Sequence, residues 1–110
     1  MQAKKIALLA RDLALDKKAE SPVILDLSKL TSVAHYFVIL HGNSDRHVRA
    51  IAHHIVDSLK DKKIKVWHME GLDTGQWVLL DFGDVIVHVF YASVREFYSL
   101  ERLWGDAPLV

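Results

Sequence analysis

Between Glu70 and Phe90 the chain reads EGLDTGQWVLLDFGDVIVHVF, two apolar runs separated by one turn signal. Gly83 next to Asp84 supplies the backbone freedom that a tight hairpin connection needs. Trp77, Leu79 and Asp81 alternate along the first run. A strand sends alternate side chains to opposite faces, so one face of this hairpin carries an aromatic, an aliphatic and a carboxylate in a row. That mixture suits a partner-binding surface better than a core. Trp77 is therefore the expected anchor, with Leu79 beside it and Glu70, Asp73 and Asp81 as charged neighbours. A Trp77 buried under a helix is the competing expectation. His88, alternating out of the second run, joins the partner-binding set as a surface contact, with a satisfied core position as its alternative.

Charge is unevenly distributed. Residues 1–65 hold twelve Lys and Arg against seven acids, a net +5, whereas residues 66–110 hold two against seven, a net −5. This asymmetry creates opposed surface fields if the two parts of the sequence occupy different surfaces, and cancels if they interleave in space.

The 110 residues make one domain, 1–110, with 51% hydrophobic and 25% charged residues. A chain of this size buries roughly two-thirds of its extended surface on folding. No apolar run approaches the ~20 residues that span a bilayer. The opening MQAKKIALLARDLAL lacks a small-residue cleavage site and is broken by Arg11 and Asp12, so it reads as an amphipathic helix rather than a leader. There are no cysteines, which excludes disulfides and thiolate metal sites and fits a cytosolic protein.

Ile6, Leu9, Ala10 and Leu13 lie at helical spacing and predict a helix over 3–15. Ser21-Pro22 closes the following turn, Val23 to Leu27 is a strand, Ser28 to Ala34 a loop, and Tyr36 to Leu40 a second strand. Gly42-Asn43-Ser44 is a turn with Ser44 as N-cap, opening a helix over 45–61 whose apolar stripe is Val48, Ile51, Ala52, Ile55 and Leu59. Ile64–Met69, Gln76–Asp81 and Val85–Tyr91 are three more strands. Ser93 and Glu96 form a capping-box pattern that opens a last helix running to about Trp104. The order α-β-β-α-β-β-β-α predicts a single α/β domain with a mixed five-stranded sheet flanked by helices.

Few patterns point to chemistry. Seven histidines include no HxxxH or HExxH spacing, so they read as solvated residues or as a His53–Asp57 pair rather than metal ligands. Gly42-Asn43-Ser44 stands before a helix, where backbone amides bind anions, but no GKS or GKT sequence follows, which excludes a P-loop. Nucleotidyltransferases also place a Gly-Ser turn before a helix. Asp45 and Asp57 do not supply the paired strand carboxylates that their two-metal chemistry uses. The rival enzyme would gather Ser44, Asp45 and Asp81 around magnesium. Lys60, Lys62, Lys63 and Lys65 form a basic run that suits a solvated helix end, and a pI near 7.1 is low for a dedicated nucleic-acid binder.

Together, VILDLS (23–28), YFVI (36–39), GNSDRHVRAIA (42–52), EG (70–71), WVLLDFGDVIVH (77–88) and REFYSLERLW (95–104) resemble the ribosomal silencing factor, or Iojap-like, family. The resemblance covers nearly the whole chain. His35, where the family often has Asp, and Asn43, where it often has Thr, depart from it. It implies a nucleotidyltransferase-like fold without enzymatic activity or cofactor. It implies binding to the fourteenth protein of the large ribosomal subunit, steric obstruction of subunit joining and lower translation, with a large-subunit assembly role as the alternative. Some members form homodimers, which an exposed apolar edge here would allow. It further implies a cytoplasmic location, no membrane association and no nucleic-acid contact beyond the ribosome.

Overall fold

The computed structural model describes residues 2–110. Helix α1 (Ala3–Asp16) leads into β1 (Glu20–Asp26) and β2 (Tyr36–Gly42), followed by α2 (Asp45–Asp61), β3 (His68–Glu70), β4 (Trp77–Asp81), β5 (Val85–Tyr91), α3 (Ala92–Tyr98) and a short α4 (Leu100–Leu103). The five strands form one mixed sheet in the order β1-β2-β5-β4-β3, in which only β2 and β5 run parallel.

Alternation sorts the core into two layers. Val38, Leu40, Val78, Leu80, Val85, Val87 and Val89 face α1 and α2. The stripe predicted on α2 is buried throughout. On α1 the fully buried positions are Ala7, Ala10 and Ala14, while Ile6, Leu9 and Leu13 are partly buried around them. Small side chains at the line of contact let α1 lie close against its neighbours, and the larger ones fill the flanks. Phe37, Ile39 and Phe90 face the other way, against Leu100 and Ala107, with Val94 and Trp104 partly buried beside them.

That second layer covers only part of the sheet. The C-terminal residues extend the β1 edge, where the Asp26 N–H donates to the Pro108 carbonyl and the Val110 N–H to the Ile24 carbonyl. Helix α3 lies over β2 and β5. The β4–β3 end of this face is left open.

Four local expectations differ. β1 begins at Glu20, so Ser21-Pro22 lies within the strand, at a bulge where Ser21 takes φ 49°. β3 is short, because 64–66 stays outside the sheet and only His68–Glu70 forms a ladder with β4, the Trp67 N–H donating to the Asp81 carbonyl just ahead of it. Ser93 does not cap. β5 runs directly into α3 with Tyr91 as the extended N-cap residue, which places Ser93 inside the first turn. The last helix breaks at Ser99, a left-handed residue with φ 47°. Ser44 does cap α2, accepting from the His47 N–H at 3.0 Å.

Gly71 shows how tightly the loop before β4 is built. Its φ is +88°, and a Cβ there would stand 1.9 Å from the Trp77 carbonyl oxygen. The same loop is pinned by Arg49, which donates to the Leu72 and Asp73 carbonyls at 2.7 and 2.8 Å. Gly71→Ala should therefore destabilise the fold by about 3 kcal/mol or more, read as a lower urea midpoint at unchanged slope.

Candidate functional site

Trp77, Leu79 and Asp81 lie on the same face of β4, half-buried, as alternation requires. Cross-strand pairing of Glu70 with Leu79 and of His68 with Asp81 puts both β3 side chains on that open face. The indole of Trp77 forms a ridge between two hollows. One, of about 280 Å³, is lined by Glu70, Gly71, Trp77 and Leu79. The other, of about 510 Å³, includes Trp77, Val94, Phe97 and Tyr98 in its lining. Phe97 is 80% exposed and Tyr98 51% exposed, a large apolar area for a soluble surface.

The indole is held by ring contacts and one hydrogen bond. Its ring centroid lies 4.9 Å from Phe90 and 4.8 Å from Tyr98. Its Nε1–H donates to Nδ1 of His88 at 3.1 Å. Trp77 is therefore neither free-standing nor buried under a helix. One side packs on the sheet and α3, and the rest remains accessible.

The expected charged neighbours separate. Glu70 is exposed, lines a hollow beside Trp77 and lies 3.3 Å from Nε2 of His68. Asp81 accepts the Gly83 N–H through Oδ1 at 2.7 Å, so it shapes the β4–β5 turn as well as the surface. Asp73 is exposed on the β3–β4 loop and lines neither hollow. His88 is corrected from surface contact to core residue. It is 4% exposed, because its strand is the middle one of five and the rings of Phe37, Trp77 and Phe90 surround it. Phe97 and Tyr98 were missed by sequence reasoning. Adjacent helical residues point about 100° apart, so consecutive aromatics on a short helix signal that one of them faces outward.

The groups proposed for magnesium do not meet. Ser44 follows Gly42, which pairs with Tyr91 at the end of β5, whereas Asp81 pairs with Ile86 near its start. Five residues of strand separate them by roughly 17 Å. Asp45 instead pairs with Arg49 at 3.0 Å, and the Asn43 amide donates to His47 Nδ1. A backbone N–H from Arg46, followed by the Arg49 hydrogen bond, lowers the Asp45 pKa. Among the described residues no group of three potential metal ligands converges. A separate polar cluster joins α3 to the sheet. Arg95 donates to His41 Nδ1 at 2.9 Å and to Glu101 at 3.3 Å, while His41 Nε2 lies 3.4 Å from Glu20. Burial and the Arg95 charge lower the His41 pKa.

Comparison with known proteins decides the family. The family described as "Ribosomal silencing factor during starvation" matches residues 1–110. The chain belongs to the ribosomal silencing factor family. It is 50% identical over 109 residues to ribosomal silencing factor RsfS of Bacillus subtilis, covering 99% of this chain and 92% of that one. It is 39% identical over 72 residues to mouse mitochondrial assembly of ribosomal large subunit protein 1, covering 63% of this chain and 32% of that one. A crystal structure from Chromobacterium violaceum superposes with a TM-score of 0.93 at 39% identity, covering 96% of this chain and 88% of the other. The family is a regulatory one that acts on the ribosome, and the open face belongs to a member of it.

Burial pushes the His88 imidazole down from 6.5 to about 4. Between those values the unfolded chain binds more protons than the folded one, so stability falls as the pH is lowered. The contribution, about 3 kcal/mol, is complete above ~6.5 and is lost toward ~4. Urea unfolding from pH 7 to 4.5 should show this slope, with His41 adding in the same direction. His88→Leu should be flatter over the same range; parallel curves for the two proteins would contradict the assignment.

Proposed function

We propose that the chain docks on the large ribosomal subunit through its Trp77 face, against the basic fourteenth protein, and blocks small-subunit joining by its bulk. The observation that carries the reading is the indole ridge between two hollows on the uncovered part of the sheet, with exposed Phe97 and Tyr98 beside it and Glu70 at its edge. A central aromatic in a partly apolar pocket with an acidic margin suits a basic protein partner. The family description supports a ribosomal role, and the name of the mouse relative supports the large subunit as the partner.

No chemical step is needed for this function. The domain measures 35 × 34 × 21 Å, so even its thinnest dimension far exceeds the water layer trapped between two docked surfaces. Silencing is then stoichiometric with large subunits and competes with small-subunit concentration. The bacterial cytoplasm is the compartment proposed for it.

Trp77→Ala should weaken binding to purified large subunits by about 2 kcal/mol or more. Phe97→Ala, a change at an exposed ring, should leave the melting temperature unchanged and weaken binding by about 1 kcal/mol. Glu70→Lys should mainly slow association and alter its salt dependence. If both aromatic variants fold and bind with wild-type affinity, this face is not the docking surface. Sucrose-gradient association of purified subunits with increasing protein then tests the mechanism. Undiminished joining at saturating, bound protein would favour an assembly factor that rides on the large subunit. The enzyme alternative is read from melting temperature: a rise of several degrees with millimolar nucleotide and magnesium would revive it.

A further inference from the structure

We infer that His88 is a positioning residue for docking: it fixes the orientation of the Trp77 indole without touching the partner itself. The inference rests on the docking reading above. Trp77 pairs with Phe90 across the β4–β5 ladder, and Leu79 pairs with His88. His88 is therefore the diagonal neighbour of Trp77 on the same face, within reach of a long side chain.

An indole has one polar atom, a donor. Here that N–H is committed to His88 Nδ1 at 3.1 Å. The imidazole is itself confined. Phe37 meets it edge-on at 4.6 Å and 69°, and Phe90 lies nearly parallel to it at 6.1 Å and 13°. A side chain that is 4% exposed between two aromatic rings offers a fixed acceptor. Flipping the indole about its outer torsion would break this bond and turn the N–H away from its acceptor.

The hydrogen-bond inventory of His88 points to the same role. With Nδ1 accepting, the proton must sit on Nε2. Nε2 is buried and has no hydrogen-bond partner among the described residues. Leucine would occupy this site without an orphaned donor, and an unmade buried hydrogen bond is costly. The polar atom of this residue that finds a partner is the one facing Trp77. A preset indole loses less rotamer freedom on docking, an effect worth roughly twofold to tenfold in affinity.

The test compares His88→Leu with His88→Asn, whose side-chain oxygen replaces Nδ1 as acceptor, using purified large subunits as the binding partner. In His88→Leu the fold should persist by circular dichroism. The Trp77 indole N–H resonance should lose its exchange protection, and affinity should fall twofold to tenfold. His88→Asn should recover both the protection and the affinity. In a Trp77→Phe background, where there is no N–H to hold, His88→Leu should have no further effect. Equal weakening by His88→Leu in both backgrounds would show a purely structural role and overturn the inference. Wild-type affinity in His88→Leu alongside weak binding in Trp77→Ala would also overturn it while sparing the docking reading. Wild-type affinity in Trp77→Ala would overturn both.

Discussion

The parallel pairing of β2 with β5, from Tyr36–Val85 to Gly42–Tyr91, is the contact on which the rest of the molecule depends. A parallel pair cannot be closed by a tight turn. The intervening chain must cross over, and here it does so through α2, β3 and β4. Because α2 returns on one side of the sheet, Val38, Leu40, Val87 and Val89 meet helices there. Among the described residues the opposite side is closed by two short helices and the C-terminal residues, with Leu27 and Ala34 of the β1–β2 connection beside them. The open face is therefore a consequence of topology. One side of the sheet has more helix than the other.

The open face and the main core meet at β5. Val85, Val87 and Val89 hold the main core, while Ile86, His88 and Phe90 form the floor beneath the open face. Trp77 stands on that floor through ring contacts with Phe90 and a hydrogen bond to His88. Gly71 lets the preceding loop approach the Trp77 backbone, and Arg49 ties that loop to α2 on the opposite side of the sheet. The aromatic ridge is thus carried by rigid elements, which limits the entropy lost when a surface engages a partner.

The polar residues share a pattern. His47 links Asn43 to the Lys17 carbonyl, Arg95 links α3 to β1 and β2, and Asp81 shapes its own turn. These groups spend their hydrogen bonds holding elements together, as buried and half-buried polar groups generally must. The charged residues that remain exposed beside the aromatic ridge include Glu70 with His68.

Periodicity made α1, α2, β4 and β5 legible, because a repeat of 3.6 or 2 records which side chains need a core. It also put Trp77, Leu79 and Asp81 on one face, since alternation within a strand is a local property. The sequence resemblance pointed to the family through WVLLDFGDVIVH and REFYSLERLW, and the comparisons established it. Signals that depend on neighbours read less well. Ser93 and Glu96 have capping-box spacing but no turn ahead of them, and Ile64 and Val66 are apolar without a strand partner. Only the tertiary structure decided that His88 lies inside, that Phe97 and Tyr98 come beside Trp77 some twenty residues earlier in the chain, and that Ser44 and Asp81 stand at opposite ends of the sheet. The physical reason is range: local pattern fixes the face on which a side chain emerges, but the order of strands and the placement of helices decide what covers that face.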